Sequence, residues 1–149
     1  MTTSDPLALI DTNVLVYAAD ATSTFHEPAL QLRERGFQGE IPLVISPQVL
    51  MEFFAVITNP RRVQSPRSSQ EATAEVEKYL RSTTIRTIYT GDDILEQVLS
   101  LLQQHPQVAR QEIFDLYLVA TMLTNSVTRI YTYNQQHFSR FAGITVLTP

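Results

Sequence analysis

The sequence has no cysteine, which excludes disulfide bridges and any metal site built on thiolates. It has no stretch approaching the ~20 apolar residues that a bilayer-spanning helix needs. Its opening, MTTSDPLALID, lacks both the basic region and the long apolar core of a secretory leader. The expectation is a soluble, cytoplasmic protein with no membrane attachment. Excess positive charge is missing too. Lys and Arg number 11 against 15 Asp and Glu, a formal charge of −4, so the overall field does not draw in a polyanion, and a contact with nucleic acid requires a local device. His26, His105 and His137 show no HExxH spacing, which argues against zinc. Repeats, low-complexity segments and linkers are absent as well. With 149 residues, 44% of them hydrophobic, the chain is expected to fold as one domain, 1–149, around a substantial core.

What is present reads as alternating strands and helices. LALID has the length and apolarity of a buried strand, and TNVLVYAAD opens a helix with Thr12 or Asn13 as the expected cap. Phe25 to Gly36 is an amphipathic helix with an early Pro28, closing on its glycine. IPLVI is strand-like, and Ser46-Pro47 marks the start of a helix that runs to Asn59-Pro60. SSQEATAEVEKYLRS begins with a capping signal at Ser68 or Ser69 with Glu71 behind it. TIRTIY, TRIYTY and GITVLTP read as strands, GDDILEQVLSLLQQHP and QEIFDLYLVATMLTNSV as helices, and NQQHFSRF as a short helix or turn. This alternation predicts an α/β fold of three layers, with a parallel sheet of four or five strands covered by helices on both faces.

Three acids stand where solvation does not explain them. Asp11 ends an apolar strand, Glu52 interrupts VLMEFFAVI, and Asp115 interrupts IFDLYLVATML. Each has a purely structural explanation: Asp11 as a helix cap, Glu52 as half of an ion pair with an arginine, Asp115 as a first-turn acid favoured by the helix dipole. In an open parallel sheet, however, sites form outside the carboxyl ends of the strands, and all three residues are expected at that edge. Carboxylates converging there either take up protons or bind a cation, and an all-oxygen set without cysteine favours Mg2+ or Mn2+. Ten of the 11 basic residues are Arg, and NPRRVQSPR gathers Arg61, Arg62 and Arg67 in one loop, where guanidinium forks suit phosphate. Arg110, near the third acid, is a further candidate for a phosphate contact.

Taken together, LALIDTNVLVY, ISPQVLMEFF, IFDLYLVATML and RIYTYNQQHFSRFAGITVLTP resemble, in order and spacing, the PIN-domain nucleases, in particular the VapC-type toxins of bacterial toxin-antitoxin pairs. The resemblance implies a metal-dependent endoribonuclease that leaves 5′-phosphate and 3′-hydroxyl ends. It places the family acids on Asp11, Glu52 and Asp115 as Mg2+ or Mn2+ ligands, with Thr12, Asn13, Ser46 and Thr132 as supporting residues. It further implies an RNA substrate, a small antitoxin partner and a homodimer, with FHEPALQL and VEKYL as candidate contact faces. The sequence departs from the family pattern at Asn134, where an acid is frequent, and at His137, which replaces the acid often found before the closing Phe. Asn134 can orient a metal-bound water, but the lost charge predicts one firmly held ion rather than two.

Two other readings fit parts of the sequence. LIDTNVL is a variant of the DxDxT signature of haloacid-dehalogenase-like phosphatases, with Asp11 as nucleophile, Gly91 to Asp93 as the later acidic motif and Lys78 as the lysine. That reading puts Asn13 where the acid that protonates the leaving group belongs, and it leaves Glu52 and Asp115 without a role. A catalytically degenerate PIN module that only binds RNA or a partner is the other, suggested by Asn134.

Overall fold

The computed structural model describes residues 6–149, so the part of the leader reading that rests on residues 1–5 lies outside the described residues. Five parallel strands form one sheet in the order β3-β2-β1-β4-β5. They are β1 (Ala8–Ile10), β2 (Leu43–Ile45), β3 (Arg86–Thr87), β4 (Arg129–Tyr131) and β5 (Thr145–Leu147). The two innermost apolar runs, β1 and β2, are buried at every residue, as strands covered on both faces must be. The helices fall into two groups. In the first, α1 (Thr12–Ala19) packs against both α2 (His26–Phe37) and α3 (Pro47–Ile57), and α3 against α4 (Ser69–Leu80); in the second, α6 (Glu112–Thr124) packs against α5 (Ile94–Gln104) and α7 (Gln135–Phe138). This is the expected three-layer α/β architecture.

Local side-chain caps set the starts of α1, α3 and α4. Ser46 caps α3 by accepting from the Val49 backbone N–H, with Pro47 at the first helical position. Ser68 and Glu71 form a full capping box at α4. Two expectations are corrected. Asp11, not Thr12 or Asn13, is the N-cap of α1, its carboxylate accepting from the Thr12 backbone N–H at 2.8 Å. Nor does Gly36 end α2: it lies within the helix, where a Cβ would meet Leu43 Cδ1 at 2.5 Å, so the residue permits close approach of helix and sheet. The turn after α2 is made at Gly39, with φ +78°.

β1 pairs with β2 on one side and β4 on the other. The chain builds outwards from β1 through β2 to β3, then crosses to start the other half at β4. The carboxyl ends of β1 and β4 therefore flank the point where strand order reverses, which is where an open α/β sheet leaves a crevice.

Candidate active site

Asp11 leaves the end of β1 while its backbone N–H still donates to the Tyr131 carbonyl of β4 at 3.0 Å. Its side chain is therefore fixed against the neighbouring strand end. One carboxylate oxygen accepts from the Thr12 N–H, and the other accepts from Thr132 Oγ1 at 2.8 Å and Asn13 Nδ2 at 3.2 Å. Thr132 is fully buried, and its hydroxyl also accepts from Asn13 Nδ2 and from the Asn134 backbone N–H. Asn13 completes the staple by accepting from the Tyr133 N–H at 3.1 Å. Every donor in this network is neutral, and no Lys or Arg pairs with Asp11 among the described residues. With only 7% of its surface exposed, Asp11 has its carboxyl pushed up to about 6 by burial, a rise that its hydrogen bonds oppose and that Asp115 and Glu52 reinforce by repulsion. Asp11 itself has no basic partner within ion-pair distance among the described residues.

Glu52, on α3, reaches the same place from the side. It accepts from Thr12 Oγ1 at 2.9 Å and from Gln48 Nε2 at 3.1 Å, and the same Gln48 amide donates to the Phe114 carbonyl, tying α3 to the first turn of α6. Among the described residues, no arginine forms the ion pair that would make Glu52 structural. Asp115, in the first turn of α6, lies 3.1 Å from His137 Nδ1 on α7. Burial raises its carboxyl, against the lowering influence of His137 and Arg140. Asp11, Glu52 and Asp115 line one cleft of about 570 Å³. Among the described residues, though, no group of three His, Asp or Glu side chains stands in metal-holding geometry as placed. Like charges keep their distance, and Glu52 and Asp115 are each engaged by donors of their own. The donor chemistry nevertheless suits a hard divalent cation: three carboxylates, no thiolate, and a buried acid without a counter-charge.

The remaining candidates divide sharply. Thr12, Asn13, Asn134 and Arg62 line the cleft, with Asn134 exposed at its rim. Ser46 and Thr132 are buried behind it, Ser46 committed to its cap and Thr132 to Asp11. Of the arginine loop, Arg67 is a strut, donating to the Ala19 carbonyl at 2.6 Å, while Arg61 is exposed. Arg110 is also exposed, in the left-handed region with φ 57°, and its neighbour Gln111, not Arg110, lines the cleft. The sequence reading did not assign Tyr17, Asp20, Gln48 or Gln111 to the site. Asp20 had a signal, because an acid at a helix C-terminus opposes the dipole. Its Asx turn with Thr22 explains that position equally well. The phosphatase reading fails here, since neither Lys78, paired with Glu75, nor any residue from Gly91 to Asp93 lines the cleft.

A strand-order switch carrying three acids and a neutral hydroxyl-amide staple describes a nuclease-like centre, and the comparisons give it a class. The PIN domain model matches residues 8–144, and the chain belongs to the PIN-domain family. Its curated relatives include Ribonuclease VapC43 of Mycobacterium tuberculosis, 30% identical over 89% of this chain and 88% of that one. Ribonuclease VapC24 of the same species is 29% identical, with 94% of each chain covered. The protein is a ribonuclease of the VapC kind, a group generally dependent on divalent metal ions. Among solved structures, M. tuberculosis VapC20, described as a Sarcin-Ricin loop cleaving toxin, superposes with a TM-score of 0.69 at 21% identity, covering 95% of this chain and 99% of that one. VapBC2 from Rickettsia felis, bound to a DNA fragment from its promoter, gives 0.64 at 15% identity, covering 96% and 98%.

Proposed function

We propose that the chain, acting as a single domain over residues 1–149, is a Mg2+- or Mn2+-dependent endoribonuclease, the cytoplasmic toxin of a toxin-antitoxin pair, with Asp11, Asp115 and Glu52 holding the cation. The observation that carries this reading is buried Asp11, fixed by three neutral donors and left without a counter-charge beside two further acids. Held by these three acids, a divalent cation would supply charge neutralisation for the scissile phosphate and a lowered pKa for the hydrolytic water. The protein's own groups supply the rest. The Thr12 N–H, Asn13 and Thr132 fix the orientation of the Asp11 carboxylate, so that little reorganisation is needed when charge develops. Thr12 Oγ1 and Gln48 hold Glu52 towards the cleft. Asn134, at the rim, orients the attacking water through its amide. Arg62, the one Lys or Arg among the residues lining the cleft, binds a flanking phosphate, with Arg61 and Arg110 as outlying contacts and Arg67 bracing the loop.

An antitoxin partner and a homodimer belong to the same proposal. The solved relatives include a toxin-antitoxin complex from Klebsiella pneumoniae, and the exposed Met51, Leu95, Leu99 and Phe114 offer apolar surface for such contacts. The nuclease reading is tested by incubating the purified protein with mixed cellular RNA and Mn2+, beside the Asp11→Asn variant. Cleavage by the parent that chelator abolishes and the variant lacks is the expected result. A parent that cuts nothing with either Mg2+ or Mn2+ leaves the degenerate binding module as the better description.

A further inference from the structure

Resting on the nuclease reading, we propose that Tyr17, Phe25 and Tyr133 form a stacking platform for an unpaired nucleobase of the RNA beside the scissile phosphate. The adjoining residues 134–137 read the edge of that base. Three aromatic rings meet at the margin of the core, Tyr17 and Tyr133 packed against it and Phe25 facing outwards. Phe25 and Tyr133 lie 4.5 Å apart between centroids at 33°, and Tyr17 approaches them at 5.2 and 5.3 Å. The cluster is assembled from three separate places: α1, the turn before α2, and the loop after β4. Packing between these segments does not require a phenyl ring at the surface, yet Phe25 remains 43% exposed. The Tyr133 hydroxyl has no hydrogen-bond partner among the described residues.

Position gives the cluster its meaning. Tyr17 lines the acidic cleft, and Tyr133 lines a second cavity of about 330 Å³, whose other walls are Asn134, Gln135, Gln136 and His137. Asn134 belongs to both cavities. The second cavity carries no Lys, Arg, Asp or Glu; its lining offers three amides for a base edge, beside the ring of Tyr133, whose hydroxyl is buried, and the imidazole of His137, whose Nδ1 lies 3.1 Å from Asp115. Side chains of this kind pair with the edges of exposed bases, and aromatic faces stack on them, whereas a paired base offers neither its face nor its Watson–Crick edge. A backbone running past the acids can therefore turn one unpaired base onto the rings. The substrate implied is a single strand or a loop, not continuous duplex.

The platform is tested in the full-length protein carrying Asp11→Asn, which prevents cleavage. Binding is followed with a short single-stranded oligoribonucleotide containing 2-aminopurine, whose fluorescence is quenched on stacking. Phe25→Ala and Tyr133→Ala are each expected to weaken binding by about ten- to a hundredfold and to reduce the quench. Tyr133→Phe keeps the ring and is expected to retain the quench, which separates stacking from loss of fold. Binding and quench unchanged in both alanine variants would overturn the platform, as would duplex RNA binding as tightly as the single strand. In the otherwise unaltered enzyme the same alanine changes should raise KM for single-stranded RNA while leaving kcat nearly unchanged. Cleavage by the parent with unchanged parameters in the variants refutes the platform alone, whereas absence of cleavage by the parent refutes the nuclease reading.

Discussion

At the scale of single residues, Asp11 shows how one side chain serves both fold and site. It caps α1 with one oxygen and is gripped from β4 through the other, so its geometry is over-determined while its charge is uncompensated. The consequence for stability has a definite sign. The folded protein raises this carboxyl from its ordinary 3.8 to about 6, so the native state holds the proton more tightly than the unfolded chain does. In the metal-free protein, the stability tied to that proton is complete below about pH 4 and is lost as the pH rises through about 6, an effect on the order of 3 kcal/mol. Asp11→Asn cannot ionise, so in chelator its unfolding free energy should fall less than that of the parent over this interval. Urea melts of the two proteins at the ends of the interval measure the difference. Equal pH slopes would show that Asp11 is not held in the raised state.

At the scale of elements, close packing decides which residues are tolerated. Gly36 lies on the face of α2 that meets β2, where an added Cβ would approach Leu43 Cδ1 to 2.5 Å and Ile85 Cδ1 to 3.2 Å. Gly36→Ala gains helix propensity in an isolated helix, but here the overpacking should dominate and cost about 1–3 kcal/mol. Thermal or urea unfolding checks this, and a stabilised variant would show that the leucine and isoleucine ends move aside freely. The same scale explains why pattern reading misplaced the end of α2. Composition makes Gly36 look like a terminator, and only the adjacent sheet shows that the glycine is needed for contact, with Gly39 making the turn. The caps at Ser46 and Ser68 were legible because their signals are local: a hydroxyl, a proline or a glutamate within one turn.

At the scale of the whole molecule, the sheet order concentrates negative charge. Asp11, Asp20, Glu52 and Asp115 all line one cleft, the first two from the ends of α1 and the others from α3 and α6. A divalent cation in this cleft relieves the repulsion that Asp115 and Glu52 exert on Asp11. Added Mn2+ should therefore raise the melting temperature, by an amount that grows with its concentration, and Asp115→Asn should reduce the gain. Differential scanning fluorimetry across a Mn2+ series measures both, and a melting temperature indifferent to Mn2+ would refute cation binding by this acid set.

The sequence by itself determined the alternation of strands and helices, the three-layer class, most helix starts, and the three anomalous acids. Each of these rests on periodicity or on chemistry within a few residues. It also marked His137 as a departure, though not as the partner of Asp115. Tertiary structure decided the rest, because the rest depends on what distant segments do to one another. It turned Arg67 into a strut and left Arg62 at the cleft, and it gathered Tyr17, Phe25 and Tyr133 into one cluster. It also set the partner of each acid, Thr132 for Asp11, Thr12 for Glu52 and His137 for Asp115.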